Sequence, residues 1–211
     1  MKNPWEEISL EDYENHMQLD SVKQLQTLNS IMKAQFGEYP VTTAMVLGVA
    51  GGNGLEHVDY GKYSTVYGVD INENYLEAVA TRYAEEVDLG ALKLLKADLF
   101  SESEKLPQAE LLIANLLIEY IGYDSFAKVV SAVKPRYVSC VIQINEGVGN
   151  WVSDSPYVHS FDKLEEVHHQ MDEKELAEVM ERIGYFARRR IKESLPNRKA
   201  LVRMDFENAS E

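Results

Sequence analysis

The stretch Val46-Leu47-Gly48-Val49-Ala50-Gly51-Gly52-Asn53-Gly54-Leu55 is the part of the chain best suited to holding a ligand. It leaves a predicted strand and enters a predicted helix. Glycines at such a junction let the backbone turn sharply and approach a bound molecule. The loop N–H groups and a helix N-terminus favour an anionic group, either phosphate or carboxylate. A glycine-rich loop by itself is also what a tight turn looks like. Sixteen residues after Gly54, Asp70 ends the next apolar run. In a doubly wound sheet its carboxylate lies beside the ligand crevice, where it can accept hydrogen bonds from both hydroxyls of a ribose. The plainer alternative is a cap on the helix that starts at Asn72-Glu73. Asp98 stands at the same point of the following strand, placed to accept the exocyclic amine of an adenine, and the strand after that ends at Ala114-Asn115-Leu116. Phosphate-binding patterns fail: the third glycine of a dinucleotide fingerprint would fall at His57, and no Gly-Lys-Ser/Thr follows the loop. A ligand with a ribose, an adenine and no phosphates fits better.

These residues need elements to position them. Short apolar runs at 44–50, 65–70, 91–98, 109–116 and 136–144 alternate with helical patterns at 74–86 and 125–133. Nearly continuous apolar strands separated by helices imply a parallel sheet covered on both faces. The C-terminal part changes order. A helix over 172–183 ends at Gly184, and two strands follow, joined by a turn at Pro196-Asn197, an antiparallel hairpin. The first forty residues read as a helical appendage, with helices near 10–19 and 22–36. Ser9-Leu-Glu-Asp12 and Ser21-Val-Lys-Gln24 resemble capping boxes, and Val22, Leu25, Leu28, Met32 and Phe36 form an apolar stripe. The expected organisation is a helical cover over 1–40 and one ligand-binding domain over 41–211. The expected fold class is α/β, with a Rossmann-like, mostly parallel sheet.

In this order and spacing the chain resembles the class I S-adenosylmethionine-dependent methyltransferases over roughly residues 43–207. Their first motif is an acidic residue followed by three glycines at alternate positions. Gly52 and Gly54 match the second and third glycines, Ala50 replaces the first, and Gly48 replaces the acidic residue. The resemblance implies a seven-stranded sheet whose last strand is inserted antiparallel. It implies S-adenosylmethionine as cofactor, with Gly48, Ala50, Gly52, Asn53 and Gly54 around its methionine end. It assigns Asp70 to the ribose, Ile71 to packing on the adenine, Asp98 and Leu99 to the adenine rim, and Asn115 to the fourth motif.

Methyl transfer from a sulfonium is an in-line displacement, so the protein mainly aligns a nucleophile and excludes water. A general base is needed only where the acceptor gives up its proton with difficulty. Acceptor-site candidates lie over the carboxyl edge of the sheet. They are Tyr13 and His16 near the N-terminus, Asn115, Glu119 and Tyr120 at the exit of the fourth strand, and Glu146, Tyr157 and His159 in the long segment 145–170. That segment, with its polar-aromatic mix, reads as a lid together with the first twenty residues. His168-His169 is a poor metal pair because adjacent side chains diverge, and no metal is expected.

The chain has 211 residues and a formal net charge of −14, which disfavours nucleic-acid partners. Its one cluster of arginines, Arg188-Arg189-Arg190, fits a strand at a sheet edge. No apolar run reaches membrane-spanning length. The N-terminus lacks the pattern of a secretory signal, and the single Cys140 sits in a core-like run. The expectation is a cytoplasmic enzyme that methylates a small molecule. A protein methyltransferase, or a non-catalytic sensor or scaffold that binds the same cofactor, is the alternative.

Overall fold

The computed structural model describes residues 3–147, 151–196 and 198–209. Its centre is a seven-stranded sheet: β1 (Thr43–Leu47), β2 (Thr65–Asp70), β3 (Leu92–Lys96), β4 (Leu111–Asn115), β5 (Tyr137–Asn145), β6 (Tyr185–Ser194) and β7 (Lys199–Asn208), in the order β3-β2-β1-β4-β5-β7-β6. The first five strands are mutually parallel, and β7 lies antiparallel between β5 and β6. Chain order reverses where β1 has β2 on one side and β4 on the other. Open α/β sheets bind ligands outside the carboxyl ends of the strands at such a point.

Both faces of β1 are buried, and its side chains alternate between two cores. Met45 and Leu47 face the layer of α5 (Ile118–Val133) and α6 (Glu173–Arg182), packing with Phe126, Val130 and Met180. Ala44 and Val46 face the layer of α2 (Gln24–Glu38) and α3 (Glu73–Arg82), packing with Met32, Phe36 and Val79. Period-two alternation with apolar residues on both faces is what a covered parallel sheet requires. Cys140 is fully buried within the first layer, and burial pushes its thiol well above the usual range.

The helix expected after the glycine loop does not form. A single 3-10 turn, Leu55–His57, takes its place. Only residues 48–64 separate β1 from β2, and α2 already covers that face: Leu55 packs in one cluster with Met32 and Phe36. The appendage helix thus fills the layer that a post-loop helix would have filled. Other boundaries shift for local reasons. The first helix, α1 (Leu10–Gln18), starts at Ser9, whose hydroxyl accepts from the Asp12 N–H. The second expected cap at Ser21 is not used; α2 begins after Lys23, which stands in the left-handed region at φ 58°. The pattern over 74–86 breaks at Tyr83 into α3 and a short α4 (Ala84–Asp88). The expected helix at 125–133 begins earlier, at Ile118, and kinks at Gly122.

The hairpin forms as β6 and β7; of its turn, Asn197 lies outside the described residues. The strand β6 is the exposed edge, with a bulge between Ala187 and Arg189. Its arginines pair with acids: Arg188 with Glu207, Arg189 with Glu38, and Arg190 with Glu173. A charged, bulged edge resists pairing with another chain. No helix among the described residues is long and apolar enough to cross a membrane.

Candidate active site

The carboxyl ends of β1, β2, β3 and β4 open into one cleft. Among the residues that line it are Gly48, Ala50, Asp70, Ile71, Asp98, Leu99 and Asn115, which the sequence had nominated from four separate segments. Gly52, Asn53 and Gly54 do not face it. Gly52 turns its carbonyl to the Tyr83 hydroxyl at 2.9 Å. The Asn53 amide donates to the Leu25 carbonyl. A Cβ on Gly54 would sit 2.7 Å from Met32. These three shape the back of the loop against α2 and α3 rather than the wall of the cleft.

Asp70 is 8% exposed and fixes the loop. One carboxylate oxygen accepts the Ala50 N–H and the other the Asn72 N–H, both at 2.9 Å. Burial pushes its carboxyl upward, against the pull of these N–H groups and that of Ile71. The helix cap itself is Asn72, whose side chain accepts from the Asn74 N–H. Ala50, which stands where the resemblance has a glycine, adopts φ 47°, the left-handed region that costs an L-residue energy. Its N–H is thereby aimed at Asp70.

Asp98 accepts the Phe100 N–H and the Ser101 hydroxyl, each at 3.0 Å, so it organises its own turn. Asn115 spends its amide on a reciprocal pair with Gln35, at 2.9 and 3.0 Å. Gln35 continues through the Ser139 hydroxyl to Asp205 and Arg203, a buried polar chain running from the cleft across β5 to β7. Tyr75 also lines the cleft; its hydroxyl is buried and has no hydrogen-bond partner.

A second hollow adjoins the first, and Trp5, Tyr13, Leu116 and Tyr120 border both. Of the acceptor candidates, Tyr13, His16, Glu119 and Tyr120 meet there. Asn115 stays in the first cleft. The remaining three are elsewhere. Glu146 pairs with Lys192 at the surface. His159 is exposed and pairs with Asp162 at 3.2 Å. Tyr157 packs beside Ile8, Phe161 and Leu164 under the segment. A long loop anchors only some of its side chains in the site it covers; the rest serve the loop itself.

In and beside the hollow stand polar groups in unusual states. Glu119 is 3% exposed; Oε1 accepts the Gln143 N–H at 2.8 Å, while Oε2 is buried with no partner. Burial raises its carboxyl to about 7. His16 bonds through Nδ1 to the Ser155 hydroxyl at 2.7 Å, and burial lowers its ring to about 4. The His168 ring stacks on Trp151 at 3.9 Å and is likewise lowered to about 4, first by burial and then by His169 and Lys199. Lys199 gives its ammonium to the Trp151 carbonyl and the Ser153 hydroxyl, and burial lowers it to about 8. Among the described residues no cluster of three metal-ligating side chains occurs. Gln24, Gln143 and His168 line the hollow without having been nominated for it. Their sequence positions carry no spacing signal; only the fold brings residues 24, 143 and 168 together.

The N-terminal segment borders both spaces, and the segment after β5 borders the second. The N-terminal segment reaches Asn72 through the Trp5 carbonyl at 2.9 Å. It meets the segment after β5 through Asp12 with Ser160, Glu7 with Lys163, and His16 with Ser155.

No family model and no curated protein sequence matches the chain. Solved structures do. The N-methyltransferase NodS of Bradyrhizobium japonicum WM9, in complex with S-adenosylhomocysteine, is 10% identical, with 99% of this chain and 100% of that chain covered at a TM-score of 0.66. Magnesium protoporphyrin IX methyltransferase of Synechocystis PCC 6803, with bound S-adenosylhomocysteine, is 12% identical over 89% of this chain and 83% of that one, at a TM-score of 0.62. The [4+2]-cyclase SpnF is 8% identical over 86% and 80%, at 0.65. With the strand order and the inserted antiparallel strand, these likenesses show that the chain has the class I methyltransferase fold.

Proposed function

We propose that this protein is an S-adenosylmethionine-dependent methyltransferase acting on a small molecule. The observation that carries the reading is the pair of adjoining hollows over the strand ends, with one aromatic wall between them. The first suits the cofactor. Two carboxylates, Asp70 and Asp98, stand among Ile71, Leu99 and Val69. That pair of acceptors repels phosphates and accepts hydroxyl and amine hydrogens, the needs of a ribose and an adenine. The buried, unpartnered Tyr75 hydroxyl offers one further polar contact. When bound there, the cofactor supplies an electrophilic methyl group on a sulfonium.

The chain's own residues would do the rest. Asp70 holds the ribose while keeping its grip on Ala50. Asp98, Leu99 and Ile71 frame the adenine, and Gly48 and Ala50 border the methionine end. Of residues 1–40, the part that precedes α2 acts as cover over a catalytic domain of 41–211, excluding water from the transfer, while α2 packs on the sheet. The acceptor occupies the second hollow, which the double cover keeps to small-molecule size.

The test is a melting series with S-adenosylhomocysteine, NAD and ATP. S-adenosylhomocysteine at a hundredfold excess over its dissociation constant is expected to add about 2.7 kcal/mol, a rise of roughly 5–11 °C for a domain of this size. A shift with NAD or ATP and none with S-adenosylhomocysteine overturns the cofactor assignment. Labelled methyl appearing in a metabolite extract then separates an enzyme from a binder.

A further inference from the structure

Glu119 is an ionisable side chain, 3% exposed, on the wall of the second hollow. It comes from the first turn of α5 to the wall of the hollow; one oxygen is held by the Gln143 N–H, and the other is buried with no donor. A buried carboxylate oxygen without a partner costs energy unless something in the site satisfies it. The surrounding walls are aromatic: Trp5, Tyr120, Trp151, Phe161 and the His168 ring. Trp151 and His168 stack at 3.9 Å, and Tyr120 meets both at 6.2 and 5.9 Å. Ring faces attract cations. The nearby bases do not compete for the carboxylate, since His16 is bonded to Ser155 and Lys199 to Trp151 and Ser153.

We infer that the acceptor is a small amine, bound as its ammonium against the aromatic wall with one N–H donated to Glu119 Oε2. This rests on the methyl-transfer reading for its chemistry, but not for its binding. In the reaction the ammonium gives a proton to Glu119, and the freed nitrogen lone pair attacks the sulfonium methyl. A C–N bond forms as the S–CH3 bond breaks, sulfur keeps that electron pair and becomes a neutral thioether, the product leaves as the N-methylammonium ion, and Glu119 returns its proton to solvent. The hollow selects for charge: a neutral alcohol of the same shape can donate its O–H to Oε2 but brings no charge to the carboxylate or the ring faces, and a carboxylate meets Glu119 as a like charge.

The chain's two tryptophans, Trp5 and Trp151, both line the hollow, so their fluorescence reports on its occupant. Benzylamine, benzyl alcohol and benzoate are titrated against the full chain, with and without S-adenosylhomocysteine, in the wild type and in Glu119→Gln. The glutamine keeps an acceptor oxygen for the Gln143 N–H, and a melting curve checks that the variant is folded. Benzylamine is expected to bind the wild type about tenfold or more tighter than benzyl alcohol, and Glu119→Gln is expected to erase that preference. Equal binding of amine and alcohol, tighter binding of benzoate, no binding of benzylamine, or a preference that survives Glu119→Gln each overturns the inference. If benzylamine is preferred while S-adenosylhomocysteine produces no melting shift, the cofactor reading fails and the amine site stands. If S-adenosylhomocysteine binds and the amine preference is missing, the reverse holds.

Discussion

In the proposed cofactor reading Asp70 carries two duties at once, because its carboxylate lines the cleft and also accepts the Ala50 and Asn72 N–H groups. Its removal therefore reaches the fold as well as the ligand. Asp70→Ala is expected to cost about 1–3 kcal/mol of stability by orphaning buried donors, and to weaken S-adenosylhomocysteine at least about tenfold. Asp70→Asn keeps one acceptor oxygen and should lose less of both. Calorimetric titration beside a urea melt of each variant reads the two effects, and an Asp70→Ala protein with wild-type affinity removes Asp70 from the cofactor site. Glu119 makes a different kind of prediction. Its carboxyl is raised from 4.5 to about 7 by burial, so the folded state holds the proton more tightly than the unfolded one. That contribution is full below pH 4.5 and is lost as the pH rises through about 7. His16 and His168, lowered to about 4, act the other way and lose stability as the pH falls from 6.5 toward 4. The difference in stability between Glu119→Gln and wild type isolates the first term. It should grow in favour of the glutamine between pH 5 and 8, by on the order of 3 kcal/mol. A difference that stays flat over that range contradicts the buried, raised carboxyl.

At the scale of elements, the decisive feature is the kink in α5. Gly122 lies at φ 72°, ψ 166°, a conformation essentially reserved for glycine, and it divides the helix after its first turn. That first turn carries Glu119 and Tyr120 into the second hollow, while the remainder packs Phe126, Val129 and Val133 against the sheet. A Cβ at Gly122 would meet only the His169 ring, at 3.6 Å, so space does not forbid a side chain there. Gly122→Ala thus tests backbone strain alone. It should cost about 1–3 kcal/mol in a urea unfolding curve, and it should disturb benzylamine binding more than S-adenosylhomocysteine binding. An unchanged unfolding midpoint shows that the kink is optional. The glycine loop works with its neighbours in the same way: Gly54 closes on Met32 of α2, and Gly52 on Tyr83 at the end of α3.

For the whole molecule, the two halves of the cover are coupled by side chains that are far apart in sequence, Asp12 with Ser160 and Glu7 with Lys163. Trp5, Ile8, Phe161 and Leu164 share a small apolar cluster between them. Limited proteolysis should therefore cut residues 3–20 and 151–170 together or not at all, and S-adenosylhomocysteine should slow both cuts. Independent cleavage, or rates that the ligand leaves unchanged, removes the cover from the proposal.

Much of this was legible in the chain before any fold was known. The apolar runs placed β1 to β5 because burial on both faces demands nearly continuous apolar residues, and β2 runs over the 65–70 that the pattern indicated. Asp70, Ile71, Asp98, Leu99 and Asn115 reached one cleft because each stands at or just past the carboxyl end of a parallel strand, and parallel strands bring those ends to one edge. The second hollow was not legible. Its residues come from positions 5 to 24, 116 to 120, 143 to 168, and no local period connects them. Whether Glu119, Glu146 or His159 would enter the site depended on the kink at Gly122 and on how the cover folded back. The missing helix after the glycine loop was decided the same way. Local sequence permitted a helix there, but α2 had already covered that face of the sheet, and a face can be buried only once.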